Sequence, residues 1–228
     1  MSRKTERKDS SEVPARAAEI VREYGPFSGS SKVNGVSHDG RHVWASLGAS
    51  LVAFDPASGE PVRTLDRAGD AGTAFDGTHL CQIAEARIDK IDPATGAVLA
   101  SIAAPGHGSD SGLAWAEGSL WVGQYRGRQI HRIDPATGEV LRTIASNRFV
   151  TGVTWVDGEL WHATWEGDES DIRRIDPNSG AVLERIEMPR GAGVSGLGSD
   201  GADLFYAGGG GSGTVRAVRR AKASRRGA

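Results

Sequence analysis

His162 is followed by Ala163, Thr164 and Trp165, and then by Glu166-Gly167-Asp168-Glu169-Ser170-Asp171, the most acidic stretch of the chain. An imidazole with a carboxylate at hand is the equipment of a general base and its partner, so His162 with Glu85 or Glu166 is the catalytic reading of these residues. The indole of Trp165 beside carboxylates suits a cationic amine instead, through cation–π attraction and charge pairing. Gln124, Tyr125 and Arg126, with Arg148, Gln82, Asn34 and Asp110, are the other candidates for ligand contact. Arginines suit a carboxylate or phosphate. The whole set would hold a zwitterionic or peptide-like small molecule. His162, His107, Glu85 and Asp110 are also proper donors for a divalent metal, but no close His/Asp/Glu spacing joins them, and the fold would have to bring them together. No cofactor is expected.

An internal repeat decides what positions these residues. Asp-Pro-Ala/Asn-Ser/Thr-Gly recurs at aspartates 55, 92, 134 and 176, spaced by 37, 42 and 42 residues. A period near ~40 with several short strands per unit is the signature of a β-propeller. The turn has its own mechanism: Asp accepts from downstream amides, Pro fixes φ, and Gly takes the left-handed position. A second ladder reads Asn34-Gly35-Val36, Ala71-Gly72-Thr73, Ser111-Gly112-Leu113, Thr151-Gly152-Val153 and Ser195-Gly196-Leu197. Glycine there fits innermost strands whose backbones crowd around an axis. The ladder predicts an all-β, five-bladed propeller. The fifth unit stops after its third strand, Val215 to Val218, and the missing outer strand is available at residues 18–24, which would close the ring and remove an exposed edge.

Alignment of the repeats also separates scaffold from candidates. Trp44, Cys81, Trp121, Trp161 and Phe205 share one slot, and His38, Phe75, Trp115, Trp155 and Ser199 share another, as packing between blades requires. The Asp/Glu-Gly and Asp-Pro turns are uniform and lie on one face. The loops on the other face vary, and variable loops on a rigid scaffold are where sites usually lie. His162 and Trp165 depart from the repeat on that face, and the other candidates share it, Asn34 as a member of the ladder.

Composition excludes several classes. The net charge of −2 gives no basic field for nucleic acid or acidic membranes. A single cysteine permits no internal disulfide, and the polar residues 1–16 carry no apolar signal core, so a cytoplasmic, monomeric protein is expected. Residues 1–16 and the basic 220–228 read as unstructured tails around one domain at 17–219. Nucleophile-elbow and Walker motifs are missing, and Gly208 to Gly211 has no helix after it to cradle a phosphate.

The segment Gly112-Leu113-Ala114-Trp115-Ala116-Glu117-Gly118-Ser119-Leu120-Trp121-Val122, with Ile130 to Gly138, resembles bacterial propellers of the quinoprotein-like and virginiamycin-lyase-like groups. Val153-Thr154-Trp155-Val156-Asp157-Gly158-Glu159-Leu160-Trp161-His162-Ala163-Thr164-Trp165 resembles the plant- and bacterial-type glutaminyl cyclases (glutamine cyclotransferase-like), which cyclise N-terminal glutamine. The positions matching that family's functional glutamate and asparagine hold Ala45, Gln82 and Ala163 here. The expectation is a small-molecule- or short-peptide-binding propeller with its site at the channel mouth. A cyclase- or lyase-like enzyme and a protein-interaction scaffold are the alternatives.

Overall fold

The computed structural model describes residues 13–27, 30 and 32–220. It contains strands and no helix among the described residues, arranged as five blades around a channel. Two N-terminal strands, β1 (Ala15–Ala17) and β2 (Ile20–Tyr24), precede the first blade. Blade one is β3 (Gly35–His38), β4 (Val43–Ser46), β5 (Leu51–Phe54) and β6 (Pro61–Leu65). Blade two is β7 (Thr73–Phe75), β8 (Leu80–Ala84), β9 (Arg87–Ile91) and β10 (Val98–Ala103). Blade three is β11 (Asp110–Ala116), β12 (Ser119–Gln124), β13 (Gln129–Ile133) and β14 (Val140–Ala145). Blade four is β15 (Val150–Val156), β16 (Glu159–Glu166), β17 (Glu169–Ile175) and β18 (Val182–Glu187). Blade five has β19 (Gly196–Ser199), β20 (Leu204–Gly208) and β21 (Val215–Arg219), and takes β2 as its fourth strand.

The five ladder glycines form the waist of the channel, where only the smallest residue fits. A Cβ on Gly112 would lie 2.6 Å from Val153 N, one on Gly152 2.6 Å from Leu197 N, and one on Gly196 2.6 Å from Gly35 Cα. Each innermost strand thus rests on the backbone of the next. Further out the slot aromatics join the blades: Trp161 meets Phe205 at 4.9 Å between centroids, and Trp121 stacks on Trp155 at 5.9 Å. Burying side chains of this size contributes about 2 kcal/mol each, which makes these contacts a principal bond between blades. Cys81 sits in the same slot, buried, with its thiol pushed up to about 12 by that burial.

The predicted closing strand is present. β2 runs antiparallel to β21, with Ile20 opposite Val218 and Tyr24 opposite Val215. It also grips the first blade: Arg22 donates to Ala57 O at 2.5 Å and to Ser58 O at 2.7 Å, and the Tyr24 hydroxyl donates to Pro56 O at 3.0 Å. The same clamp recurs where Arg63 of β6 donates to Ala94 O at 2.7 Å and Arg142 of β14 to Asn178 Oδ1 at 2.5 Å. An outer-strand arginine thus holds the Asp-Pro turn of the following blade at three of the four such turns; β10 carries none. Nothing in the repeat alignment predicted this clamp.

The chain ends differ from the sequence expectation at their inner limits. Ala15 and Arg16, read as tail, belong to β1, which adds a fifth strand to blade four by pairing parallel to β18 from Ala15↔Arg185 to Ala17↔Glu187. Main-chain pairing needs no apolar pattern, so the polar sequence gave no sign of it. Arg220 is buried, with its guanidinium donating to Ala202 O at 2.6 Å and to Asp157. The remaining tail residues, 1–12 and 221–228, lie outside the described residues. No helix among the described residues is long and apolar enough to cross a membrane.

Candidate functional site

The inner strands all begin on the variable face, and the residue before each waist glycine lies at the channel mouth there. Asn34, Ala71, Ser111, Thr151 and Ser195 line a concavity of about 270 Å³ together with Asp70, Asp110, Tyr125 and Trp165. Four residues singled out from the sequence, Asn34, Asp110, Tyr125 and Trp165, are brought together in it. Asp70, Ser111, Thr151 and Ser195 were not singled out. Their signal was available, because each lies one or two positions before a ladder glycine.

Asp110 is the group most altered by this setting. The residue is 8 % exposed. Both oxygens accept from Gly106 N at 3.0 Å, and Gly106 tolerates the approach because a Cβ there would meet Asp110 Oδ1 at 2.5 Å. Burial pushes the Asp110 carboxyl above the ordinary range, against the opposing pull of the Gly106 N–H, the Gln124 amide and the nearby His107. Asp70 is exposed beside it in the mouth and accepts from Glu85 N at 2.9 Å.

The aromatic walls are fixed by different means. Tyr125, 38 % exposed, stacks on Phe149 at 4.6 Å, and Arg128 covers the Phe149 ring with its guanidinium 4.4 Å from the centroid. Trp165 donates from Nε1 to Gly167 O at 3.0 Å and lies against Gly193 and Gly210 of blade five, where a Cβ would meet the indole at 2.5 and 2.7 Å. A half-buried indole and an exposed phenol facing two carboxylates form a cation-accepting wall.

The other candidates have different roles. Gln82 is fully buried, donating from Nε2 to Ala71 O at 3.1 Å, Gly72 O at 3.2 Å and Ile83 O at 2.8 Å. It braces the mouth from behind and does not line it. Gln124 stands between Asp110 and the turn of blade three. Arg126 is exposed on that turn, outside the mouth. Arg148 lies 3.4 Å from Glu166 and 3.6 Å from Glu169, and Glu166 also accepts from Phe149 N at 2.9 Å and approaches Arg128 at 3.4 Å. These charges tie blade three to blade four. The carboxylate-binding arginines expected at the mouth are therefore not there. Glu85 is exposed, in a left-handed conformation with φ of 55°, and pairs with Arg87 at 3.0 Å.

His162 lies elsewhere. It is 1 % exposed and lines a different cavity, with Asn147, Ile175 and Val182 between blades three and four. Burial, reinforced by the nearby Arg173, lowers its imidazole to about 4. A neutral, enclosed ring in that position does not reach the mouth, so the pairing of His162 with Glu85 or Glu166 as base and partner is not assembled. Blades pack on both faces, and a residue that follows a slot aromatic turns into the opposite gap, not toward the channel. His107 is exposed on the loop into blade three, and no group of three or more His, Cys, Asp or Glu side chains suited to a metal occurs among the described residues. The metal candidates His107, His162, Glu85 and Asp110 do not form one site.

Residues 84–226 match the family described as outer membrane protein assembly factor BamB. The crystal structure of Myxococcus xanthus glutaminyl cyclase superposes with a TM-score of 0.74, covering 91 % of this chain and 98 % of that one at 18 % identity. A comparison with curated proteins found no match. The glutaminyl-cyclase-like, quinoprotein-like propeller expected from the sequence is thus the fold observed.

Proposed function

We propose, for a chain that belongs to the family of the outer membrane protein assembly factor BamB, that the propeller binds a small amine- or peptide-like molecule at the channel mouth of its variable face. The observation that carries this reading is the buried carboxylate of Asp110 in a concavity that also holds Asp70, Tyr125 and Trp165. A ligand ammonium exchanges its hydration for charge-assisted bonds to carboxylate and for the faces of two aromatic rings. A thermal-shift and calorimetric screen of amines, amino amides and short peptides tests it. A ligand at about 100 times its Kd adds about 2.7 kcal/mol and lifts the melting midpoint by several degrees.

Asp110→Asn is expected to weaken amine binding at least about tenfold, the loss of one charge-assisted bond. The variant should still fold. An acid whose folded pKa is raised costs stability once pH exceeds the unfolded value, so removal of the charge does not lower the midpoint at neutral pH. Unchanged amine affinity in Asp110→Asn would remove the mouth from consideration.

A second reading is enzymatic, favoured by the superposition on a glutaminyl cyclase. In it Asp110, the titratable group whose burial raises it at the mouth, takes the proton-transfer role that His162 is not placed to perform. Incubation with glutaminyl peptides and detection of ammonia release distinguishes it from binding alone. The scaffold reading draws on Val62, Leu99, Leu141 and Leu183, apolar and exposed on the outer strands and so around the rim, not on the variable face.

A further inference from the structure

Two positions of the repeat change character only at the mouth. At the residue two before each waist glycine, blades one, four and five bury Val33, Val150 and Val194, while blades two and three carry Asp70 and Asp110. A scaffold position that is apolar elsewhere has become anionic in two adjacent blades. At the residue one before, the polar side chains bind the next blade: Asn34 donates to Gly69 O at 3.2 Å, Ser111 to Val150 O at 2.7 Å, and Ser195 to Val33 O. Thr151 breaks that rule. Its residue is 4 % exposed and lines the mouth, yet its Oγ1 is buried without a hydrogen-bond partner.

Folding leaves such a hydroxyl unpaired at a cost in stability, which a ligand group in the mouth would relieve. Among the described residues, no lysine or arginine lines the concavity. Arg148, on the same face, is engaged by Glu166 and Glu169. A ligand carboxylate would therefore lie beside Asp70 and Asp110 with no cation to neutralise it, and like charges at such range repel.

We propose that the mouth selects a monocationic amine that bears a hydrogen-bond acceptor and no carboxylate, an amino amide for instance, with Thr151 Oγ1 donating to the acceptor. The ammonium pairs with Asp110 and Asp70, and Thr151 sets the specificity between amines of equal charge. This inference rests on the amine-binding reading above and adds to it the second half of the ligand.

Three probes of one skeleton separate the elements: phenylalaninamide has ammonium and acceptor, phenethylamine has ammonium alone, and phenylalanine carries a carboxylate. Isothermal titration of the full chain is expected to show phenylalaninamide binding at least about tenfold more tightly than phenylalanine. Thr151→Val, which keeps the shape and removes the hydroxyl, should weaken phenylalaninamide about tenfold and leave phenethylamine within about twofold, the size of one lost hydrogen bond. Thr151→Ser should restore most of the amide affinity. Amide affinity that is unchanged in Thr151→Val overturns the proposal, as does equal weakening of both amines with a lowered melting midpoint, which marks a packing role. Phenylalanine bound as tightly as its amide overturns the exclusion of carboxylates. If phenethylamine binds while the amide ignores Thr151, only this inference falls; if none of the three binds, the reading of the mouth falls with it.

Discussion

Burial, more than any neighbouring charge, sets the behaviour of His162. Its neighbours across the sheet are Arg173 and Asp171, which satisfy each other at 2.7 Å, and Asp171 also accepts from Thr164 at 2.5 Å. Ala163 O and Asp171 favour an imidazolium, but burial and the Arg173 charge outweigh them. The folded value near 4 lies below the ordinary 6.5, so between those limits the unfolded chain holds a proton that the folded chain does not. Stability from this residue is complete above pH ~6.5 and is lost as pH falls toward ~4. His38 and His131 are lowered too, mainly by burial, so the wild-type slope is shared. Melting curves of wild type and His162→Gln across this window should diverge, the wild type losing up to a few kcal/mol more on acidification, at about 1.4 kcal/mol per pH unit of displacement. Parallel curves would place His162 in contact with solvent. At this scale the sequence was a partial guide. Asp110, Tyr125 and Trp165 were found because they interrupt a repeat at strand ends, where side chains meet the channel, whereas Asn34 belongs to the glycine ladder itself. Gln82 and His162 interrupt it in mid-strand, where both faces of a blade are interior, and repeat alignment cannot tell a cavity from a gap between sheets.

Between residue and molecule stands the inner strand, and its glycine is held by backbone, not side chain. Gly112→Ala places a methyl carbon 2.6 Å from Val153 N, an atom fixed in the ladder of the next blade. Overpacking of that kind costs about 1–3 kcal/mol, and here relief requires a whole strand to move. Gly118→Ala is the control: its Cβ meets nothing within 4 Å, but its φ is +71°, so the expected loss is about 1 kcal/mol from strain alone. Chemical denaturation should rank the waist variant clearly below the turn variant. The ladder of glycines was legible in sequence, as was the Asp-Pro turn whose Asp134 accepts from Ala136 N at 2.8 Å. The arginine clamps were not, because Arg22, Arg63 and Arg142 on exposed strands look like ordinary solubilising charge until the neighbouring turn is in view.

For the whole molecule the N-terminal segment is the decisive element. β2 completes blade five and seats on the turn of blade one, while β1 covers the edge of blade four. Loss of residues 1–24 would leave β21 and β18 as bare edges and remove Tyr24 from the core shared with Phe54 and Tyr206. The truncated chain should melt at least about 10 °C lower or form oligomers through those edges, as sedimentation would show. A monomer of unchanged midpoint would show that closure is dispensable. The closing strand was readable from its pattern and from the unfinished fifth unit, whereas the three-residue parallel pairing of β1 carried no periodic signal.

That arrangement fixes how the molecule bears load. Ile20 lies opposite Val218, and Arg219 N donates to Glu19 O at 2.9 Å, so Glu19 and Arg219 stand together at one end of the antiparallel pair that closes the ring. Tension applied between them does not shear β2 along β21 with all bonds loaded at once. It peels the pair open from Glu19 toward Tyr24, one rung at a time. A ring held together by its waist and its aromatic joints therefore has a zip fastener at its closing strand, with Glu19 and Arg219 as the tab.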